Sequence, residues 1–155
     1  MSSSTYETLV QAGFVPVQEL AARKILTTIE KGKRYALQIS NSKESVLYQV
    51  DGNIITVGDK CDKLVLVKLS NQPEMWAEIF VELKGGDVGH ALTQLIDTIK
   101  QPIFKHPTNV VKWARVVATA FPANKSNPDI ERKKIALLQL GFDYKGLKTG
   151  QLDCI

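Results

Sequence analysis

The order of helical and strand-like segments predicts an α/β protein in which helices flank a mixed β-sheet. Two short apolar runs, at 62–69 and 77–84, lie on either side of a polar loop and are typical of an antiparallel hairpin. An amphipathic helix follows at 87–100, and residues 115–121 then suit a buried parallel strand. A hairpin, a crossover helix and a further strand together favour a layered α/β sheet.

Length and composition are consistent with one globular domain over residues 1–155. The chain has 155 residues, of which 44% are hydrophobic, which is enough for a core without disulfides. Every apolar run is shorter than the ~20 residues of a membrane-spanning helix, and the N-terminus lacks the pattern of a signal peptide. Cys61 and Cys154 do not have the spacing of a zinc site. We therefore expect a cytoplasmic protein with no membrane partner.

The first third of the chain is predicted to contain two helices followed by short strands. Residues 6–12 suit a short helix, and 17–31 suit a longer one because four apolar residues recur at helical spacing. These four are Ala22, Ile25, Leu26 and Ile29. Gly32 ends this helix, and strands are predicted at 34–39, 46–50 and 54–57.

The helix predicted at 87–100 has the clearest periodic pattern in the chain. Asp87 can cap the helix at 87–100, and the side opposite its apolar stripe carries Gln94. Residues 129–140 predict another helix, which carries Arg132 and Lys133. The tail that follows Gly141 can add an edge strand.

Three ionisable residues stand at one end of the predicted hairpin. Asp62 begins the first strand, and Glu82 and Lys84 share a face near the end of the second. Charge at the ends of buried strands indicates a site, because an unpaired buried charge is costly. Two carboxylates there can bind a hard divalent cation such as Mg²⁺, and a lysine can stabilise charge that develops on a phosphate.

At these residues the sequence resembles the PD-(D/E)xK nuclease superfamily. The family pattern is an acidic residue followed, on the next strand, by acid-x-Lys, and it is matched by Asp62 and Glu82-Leu83-Lys84. The resemblance implies a restriction-endonuclease-like core with elements in αβββαβ order. It also implies Mg²⁺ or Mn²⁺ bound by Asp62 and Glu82, with Lys84 acting in catalysis.

The same resemblance implies two further site residues. In several branches of the superfamily a glutamine on the helix after acid-x-Lys reaches the active site, and Gln94 is the matching position. The tyrosine that often follows it by four residues is Thr98 here. Many relatives also carry an acid on the first helix near the metal, for which Glu19 is the candidate. The alternative is that Glu19 is a first-turn residue favoured by the helix dipole.

The acid-x-Lys triplet alone has little specificity. The chain contains three such triplets, and the other two, 131–133 and 143–145, fall in a helix and a loop. Only Glu82-x-Lys84 ends an apolar strand, follows an acid-led strand and precedes an amphipathic helix. The alternative interpretation is a surface ion pair between Glu82 and Lys84, which would contribute only ~0–1 kcal/mol.

The charge distribution agrees with a nucleic-acid partner. The net charge of +4 divides into +2 over residues 1–50, −3 over 51–100 and +5 over 101–155. Basic residues of the last segment can contact phosphates, and the candidates are Lys125, Arg132 and Lys133. We expect a Mg²⁺-dependent endodeoxyribonuclease of restriction, phage defence or DNA repair, acting as a homodimer or with a partner subunit. The alternative is a non-catalytic nucleic-acid-binding or protein-assembly domain that retains the nuclease fold.

Overall fold

Two β-sheets and three helices make up the computed structural model, which describes residues 4–58, 60–83, 87–121 and 127–155. The helices are α1 (Thr5–Gln11), α2 (Val88–Ile99) and α3 (Pro128–Gln139). The strands are β1 (Gln18–Ala22), β2 (Ile25–Glu30), β3 (Lys33–Gln38), β4 (Glu44–Gln49), β5 (Lys63–Asn71), β6 (Glu74–Leu83), β7 (Asn109–Ala118), β8 (Asp143–Lys148) and β9 (Leu152–Cys154). The α/β class predicted from the sequence is confirmed.

The larger sheet has six strands in the order β1-β4-β5-β6-β7-β8. Strands β5 and β6 form the predicted antiparallel hairpin, whereas β6, β7 and β8 run parallel. Helix α2 connects β6 to β7, and α3 connects β7 to β8, as parallel neighbours require. The predicted helices at the N-terminus, at 87–100 and at 129–140 are confirmed, as is the edge strand in the tail. The predicted strand at 115–121 begins earlier, at Asn109.

Both faces of the sheet are buried at β4, β5 and β6, which explains why these strands have continuous apolar runs. Along β5, Leu64 and Leu66 pack toward the helices, while Val65 and Val67 pack toward the second sheet. The second sheet has the order β2-β3-β9, and β3 packs across β6 and β7. Successive side chains of a strand point to opposite faces, so one strand contributes to two cores.

The helix predicted over residues 17–31 is wrong, because this segment forms β1 and β2. Strand β2 is paired with β3 along its whole length, and their hairpin turns at Lys31 and Gly32. Both turn residues have positive φ, 52° and 73°, as a two-residue hairpin loop requires. Leu26 and Thr28 are buried while the residues on either side are more exposed. This alternation has the period of a strand, and it overrides the helical spacing.

The strand predicted over residues 54–57 is also wrong. This segment forms turns, with a single bridge between Asp51 and Ile55. Gly52 adopts a φ of 77°, and Val57 is 84% exposed. Neither neighbouring strand extends far enough to pair with residues 54–57, so their β-branched side chains have no sheet to join.

A buried charged cluster attaches the second sheet to the first. Arg115 of β7 donates from Nε to Asp153 Oδ2 of β9 at 2.8 Å, and the Tyr35 hydroxyl of β3 donates to the same oxygen at 2.7 Å. Arg115 and Asp153 are 2% and 3% exposed. Burial, followed by the Asp153 charge, raises the pKa of Tyr35 well above its ordinary value, so its hydroxyl remains a donor. The three strands are thereby joined through one carboxylate.

Candidate functional site

The carboxyl groups of Asp62 and Glu82 lie together at one end of the β5–β6 hairpin. Lys63 is paired with Val81, which places Asp62 opposite Glu82. The backbone N–H of Asp62 donates to Glu82 Oε1 at 3.1 Å, and the N–H of Leu83 donates to Asp62 Oδ2 at 2.8 Å. Asp62 is 3% exposed and Glu82 is 1% exposed. The structure brings these two residues together as expected, and their chemical role stays a prediction.

A third carboxyl group, that of Glu30, joins them from the second sheet. Burial is the first cause that raises the pKa of Asp62 to about 7, and the side-chain hydrogen bond with Glu30 is the second. Two carboxyl groups can share a hydrogen bond only while one of them holds a proton. When both are ionised, Glu30 Oε2 is buried without a hydrogen-bond partner among the described residues. Burial and the neighbouring carboxyl group therefore favour a protonated Asp62.

Lys63 supplies a buried positive charge beside this cluster. Its Nζ lies 3.7 Å from Glu30 Oε1 and donates a hydrogen bond to Gln49 Oε1. The lysine is only 6% exposed, so it is part of the interior of the site rather than of its surface. The charge of Lys31 also acts on the cluster, because it lowers the pKa of Asp62 against the effect of burial.

Helix α2 holds the segment that leads into Asp62. Gln94 donates from Nε2 to the carbonyl oxygen of Lys60 at 3.3 Å. One turn later, Thr98 Oγ1 accepts from the N–H of Cys61 at 2.8 Å and donates to the Gln94 carbonyl at 2.8 Å. The predicted residue Gln94 and its neighbour Thr98 therefore position residues 60–62 from the helix side.

Glu19 does not join the carboxyl cluster. It is exposed on β1, and β4 lies between β1 and β5 in the sheet. Adjacent strands are ~4.8 Å apart, so Glu19 is two strand spacings from the strand that Asp62 precedes. The helix that suggested Glu19 does not form, and the acid that reaches Asp62 is Glu30.

The predicted basic residues have different surroundings. Lys84 and Lys125 lie outside the described residues. Arg132 is exposed and pairs with Asp129 at 2.8 Å, whereas Lys133 pairs with Asp129 at 2.9 Å and donates to the Gly89 carbonyl at 3.2 Å. Hydrogen bonds from Lys133 and then Arg132 lower the pKa of Asp129. Lys133 thus links α3 to the start of α2.

The sequence resemblance implies a divalent cation at the Asp62–Glu82 pair. Over residues 4–58, 60–83, 87–121 and 127–155, no group of three or more His, Cys, Asp or Glu side chains is arranged to hold one metal ion. Asp62 and Glu82 nevertheless offer two carboxylates, and Mg²⁺ commonly binds one or two protein carboxylates and keeps several waters. The unpartnered Glu30 Oε2 is a further hard oxygen donor nearby. The oxygen chemistry therefore fits Mg²⁺ or Mn²⁺.

Comparison with protein-family models, curated proteins and solved structures found no match to this chain. No helix within the described ranges is long and apolar enough to cross a membrane.

Glu30 and Lys63 are the site residues that sequence reasoning missed. Glu30 is far from Asp62 in sequence and reaches it only because β2 belongs to a separate sheet packed on the first. One signal for Glu30 was present in the sequence, since Thr27, Thr28 and Ile29 are β-branched and precede a glycine turn. If this segment had been predicted as a strand, Glu30 would have been placed at a strand end, where Asp62 and Glu82 also lie.

Proposed function

We propose that this protein is a metal-dependent nuclease that hydrolyses phosphodiester bonds, with DNA as its expected substrate. The observation that carries the proposal is the buried Asp62–Glu82 pair at the end of the β5–β6 hairpin. The order β4-β5-β6-β7, with α2 as the crossover after β6, supports a restriction-endonuclease-like core. The acid-x-Lys pattern of the sequence begins at Glu82, on the second strand of that hairpin.

The roles of the residues follow from their chemistry. Asp62 and Glu82 would bind Mg²⁺ or Mn²⁺ through carboxylate oxygens, with Glu30 beside them. Such an ion, when bound, acts as a Lewis acid toward phosphate oxygens and lowers the pKa of bound water. Lys84 would stabilise negative charge on the phosphate in the transition state. Gln94 would act by holding the backbone of residue 60 in place.

One observation favours the alternative of a non-catalytic domain that retains the fold. Both carboxylates already accept backbone hydrogen bonds, and both residues are almost fully buried. Carboxylates in this arrangement can serve as caps for the ends of β5 and β6. The nuclease and the non-catalytic domain differ in whether the protein binds a divalent cation at these residues and cleaves a phosphodiester.

Metal binding tests the first half of the proposal. Calorimetric titration with Mn²⁺ should show binding to the wild-type protein and loss of binding in Asp62→Asn and Glu82→Gln. The matched control is Glu44→Gln, which neutralises an exposed carboxylate on β4 and should bind as the wild type does. Equal binding by the wild type and Asp62→Asn would contradict the assignment.

Cleavage tests the second half, with Lys84→Ala as the informative variant. It should retain Mn²⁺ binding and lose a factor of ~10²–10³ in rate, the usual cost of one preorganised electrostatic partner. The assay uses plasmid DNA, single-stranded DNA and RNA with Mg²⁺ or Mn²⁺. If Lys84→Ala cleaves as fast as the wild type, the catalytic assignment is wrong. If the wild type binds metal and cleaves none of these substrates, the non-catalytic alternative replaces the nuclease.

A further inference from the structure

A cavity separate from the carboxyl cluster lies beside the beginning of β7. Its volume is about 510 Å³, within the ~300–1,000 Å³ that is usual for small-molecule sites. Strands β6 and β7 supply a polar wall with Glu78, Asn109 and Lys112, and the other wall is apolar. Glu78 is four residues before Glu82, so at ~3.3 Å per residue the two are ~13 Å apart along β6. The apolar wall consists of Ile99, Phe104, Pro107, Leu140 and Phe142.

Lys112 places a positive charge in the polar wall. It is paired with Glu78 in the register of β6 and β7, which are ~4.8 Å apart. Its Nζ is 5.4 Å from the centre of the Phe142 ring, and a side-chain carbon at Gly141 would lie 2.9 Å from it. The ammonium group therefore rests against residues 141 and 142. No carboxylate of the described residues forms an ion pair with it, so it attracts an anionic ligand.

Glu78 does not supply the missing negative charge. The residue is 2% exposed, and Thr5 Oγ1 donates to its Oε2 at 3.3 Å. Burial raises the pKa of Glu78 to about 8, although Thr5 and the Lys112 charge lower it. The carboxyl group is therefore largely neutral near pH 7, and its proton makes it a hydrogen-bond donor. The polar wall keeps the net positive charge of Lys112.

Asn109 contributes a buried acceptor that has no donor. Its Nδ2 donates to Thr5 Oγ1 at 2.9 Å and to the Phe104 carbonyl at 3.2 Å, which fixes the orientation of the amide. Its Oδ1 is buried, and within the described part of the chain nothing donates to it. Asn109 is 7% exposed, so this oxygen is deprived of bulk water. Leaving such an acceptor unpaired is costly, and a ligand with an O–H or N–H group would satisfy it.

These observations limit the chemistry of the ligand. The charge of Lys112, together with that of Lys105 exposed at the rim, favours an anion over a neutral or cationic molecule. The apolar wall favours an organic body over a bare inorganic ion. A carboxylate carries one negative charge, as one ammonium group in the wall requires, and it can also accept from the protonated Glu78. The second charge of a phosphate monoester would lie beside apolar side chains, where it is costly.

We propose that this cavity binds a small organic monocarboxylate that has an apolar body and a hydroxyl or N–H donor at its far end. The carboxylate would contact Lys112 and Glu78, and the donor would reach Asn109 Oδ1. Asn109 and Lys112 are three residues apart on β7, at most ~10 Å, so the two polar groups belong at opposite ends of the ligand. An α-amino acid has its donor beside the carboxylate and does not meet this requirement. The inference is independent of the nuclease proposal.

Calorimetric titrations of the full chain near pH 7 test the proposal. The probes are para-hydroxybenzoate and omega-hydroxyhexanoate, which place the same two groups on a ring and on a flexible chain. At least one should bind. Its methyl ether, which cannot donate to Asn109, should bind at least ~10-fold more weakly. Its carboxamide, which lacks the negative charge, should be weakened by a similar factor. Inorganic phosphate and phenyl phosphate test for a site that accepts any anion.

Three variants test the residues of the polar wall. Lys112→Met keeps an apolar contact with Phe142 and removes the charge, so it should weaken binding of the better probe at least ~10-fold. Glu78→Gln is neutral and keeps a donor, so it should bind as the wild type does. The control is Lys145→Met, which removes an exposed charge on β8 outside the lining of the cavity and should leave binding unchanged.

Several results would overturn the inference. Absence of binding by both hydroxy acids would do so, as would equal affinity for an acid and its carboxamide or its methyl ether. Phosphate or phenyl phosphate binding as tight as that of the better acid would indicate an unspecific anion site. Tighter binding by Glu78→Gln would show that Glu78 is ionised, against the charge argument. Thermal melts show whether each variant is folded, and Lys112→Gln replaces Lys112→Met if the latter does not fold.

Discussion

Replacing Glu78 by glutamine should change how the stability of this protein depends on pH. The folded-state pKa of Glu78 is about 8, whereas an unperturbed glutamate has 4.5. Between these values the folded protein retains a proton that the unfolded chain has released, so unfolding becomes easier as the pH rises. The stabilisation that the protonated Glu78 gives the folded state is complete below pH 4.5. It is lost as the pH approaches about 8. Glutamine stays neutral throughout and does not have this dependence.

The magnitude follows from the size of the shift. One pKa unit corresponds to ~1.4 kcal/mol, and one retained proton lowers the free energy of unfolding by that amount per pH unit. Between about pH 5 and about pH 7, the free energy of unfolding of the wild type should therefore fall by ~3 kcal/mol relative to that of Glu78→Gln. Glu78 is 2% exposed, so solvent screening reduces this figure little.

Urea denaturation of both proteins across this pH range measures the difference. Asp62 also titrates between these values, and taking the difference between the two proteins removes contributions that they share. The control is Glu44→Gln, an exposed substitution that should run parallel to wild type. Parallel curves for wild type and Glu78→Gln would refute the argument that burial keeps this carboxyl group protonated.

Three further substitutions test contacts that position the fold and the site. Asp153→Ala leaves Arg115 without its 2.8 Å partner, and removing one member of a buried ion pair should cost ~3–5 kcal/mol in urea denaturation. Thr98→Val removes the acceptor of the Cys61 N–H and should cost ~1–3 kcal/mol, with weaker Mn²⁺ binding because the segment before Asp62 is released. Asn127→Ala removes the cap of α3 and should lower the free energy of unfolding by ~1 kcal/mol.

Two matched controls separate these effects from general damage. Asp143→Ala removes the exposed partner of Arg115, whose Nη2 lies 3.5 Å from Asp143 Oδ2. This change should lower the free energy of unfolding by less than ~1 kcal/mol. Thr93→Val, also on α2, removes only a hydroxyl that donates to the Gly89 carbonyl and should leave Mn²⁺ binding unchanged. Equal losses in Asp153→Ala and Asp143→Ala, or in Thr98→Val and Thr93→Val, would contradict the roles described above.

Local patterns were sufficient to predict the centre of the fold. The hairpin β5–β6 has strand-length apolar runs on either side of a polar loop, and α2 has an N-terminal cap and an unbroken apolar stripe. Such signals involve residues close together in the chain, so few alternative arrangements satisfy them. Once the hairpin was predicted, the juxtaposition of Asp62 and Glu82 followed, because opposite residues of an antiparallel pair lie ~5 Å apart.

The errors arose where distant partners decide the structure. Residues 17–31 have a helical stripe, yet β2 is a strand because β3 pairs with it and because Leu26 is covered by the second core. Tertiary burial outweighs a helix propensity that differs by well under ~1 kcal/mol per residue. The assignment of Glu19 depended on that helix, and it failed with it.

By itself, the sequence determined the α/β class, the hairpin, the crossover helix and the pairing of Asp62 with Glu82, because each depends on short-range periodicity and turn chemistry. Only the tertiary structure decided that a second sheet covers the first and brings Glu30 and Lys63 to the carboxyl pair. It alone also joined Thr5 to Glu78 and Asn109 by hydrogen bonds. These groups come from separate elements, and their contacts form only when the packing of both sheet faces brings them together.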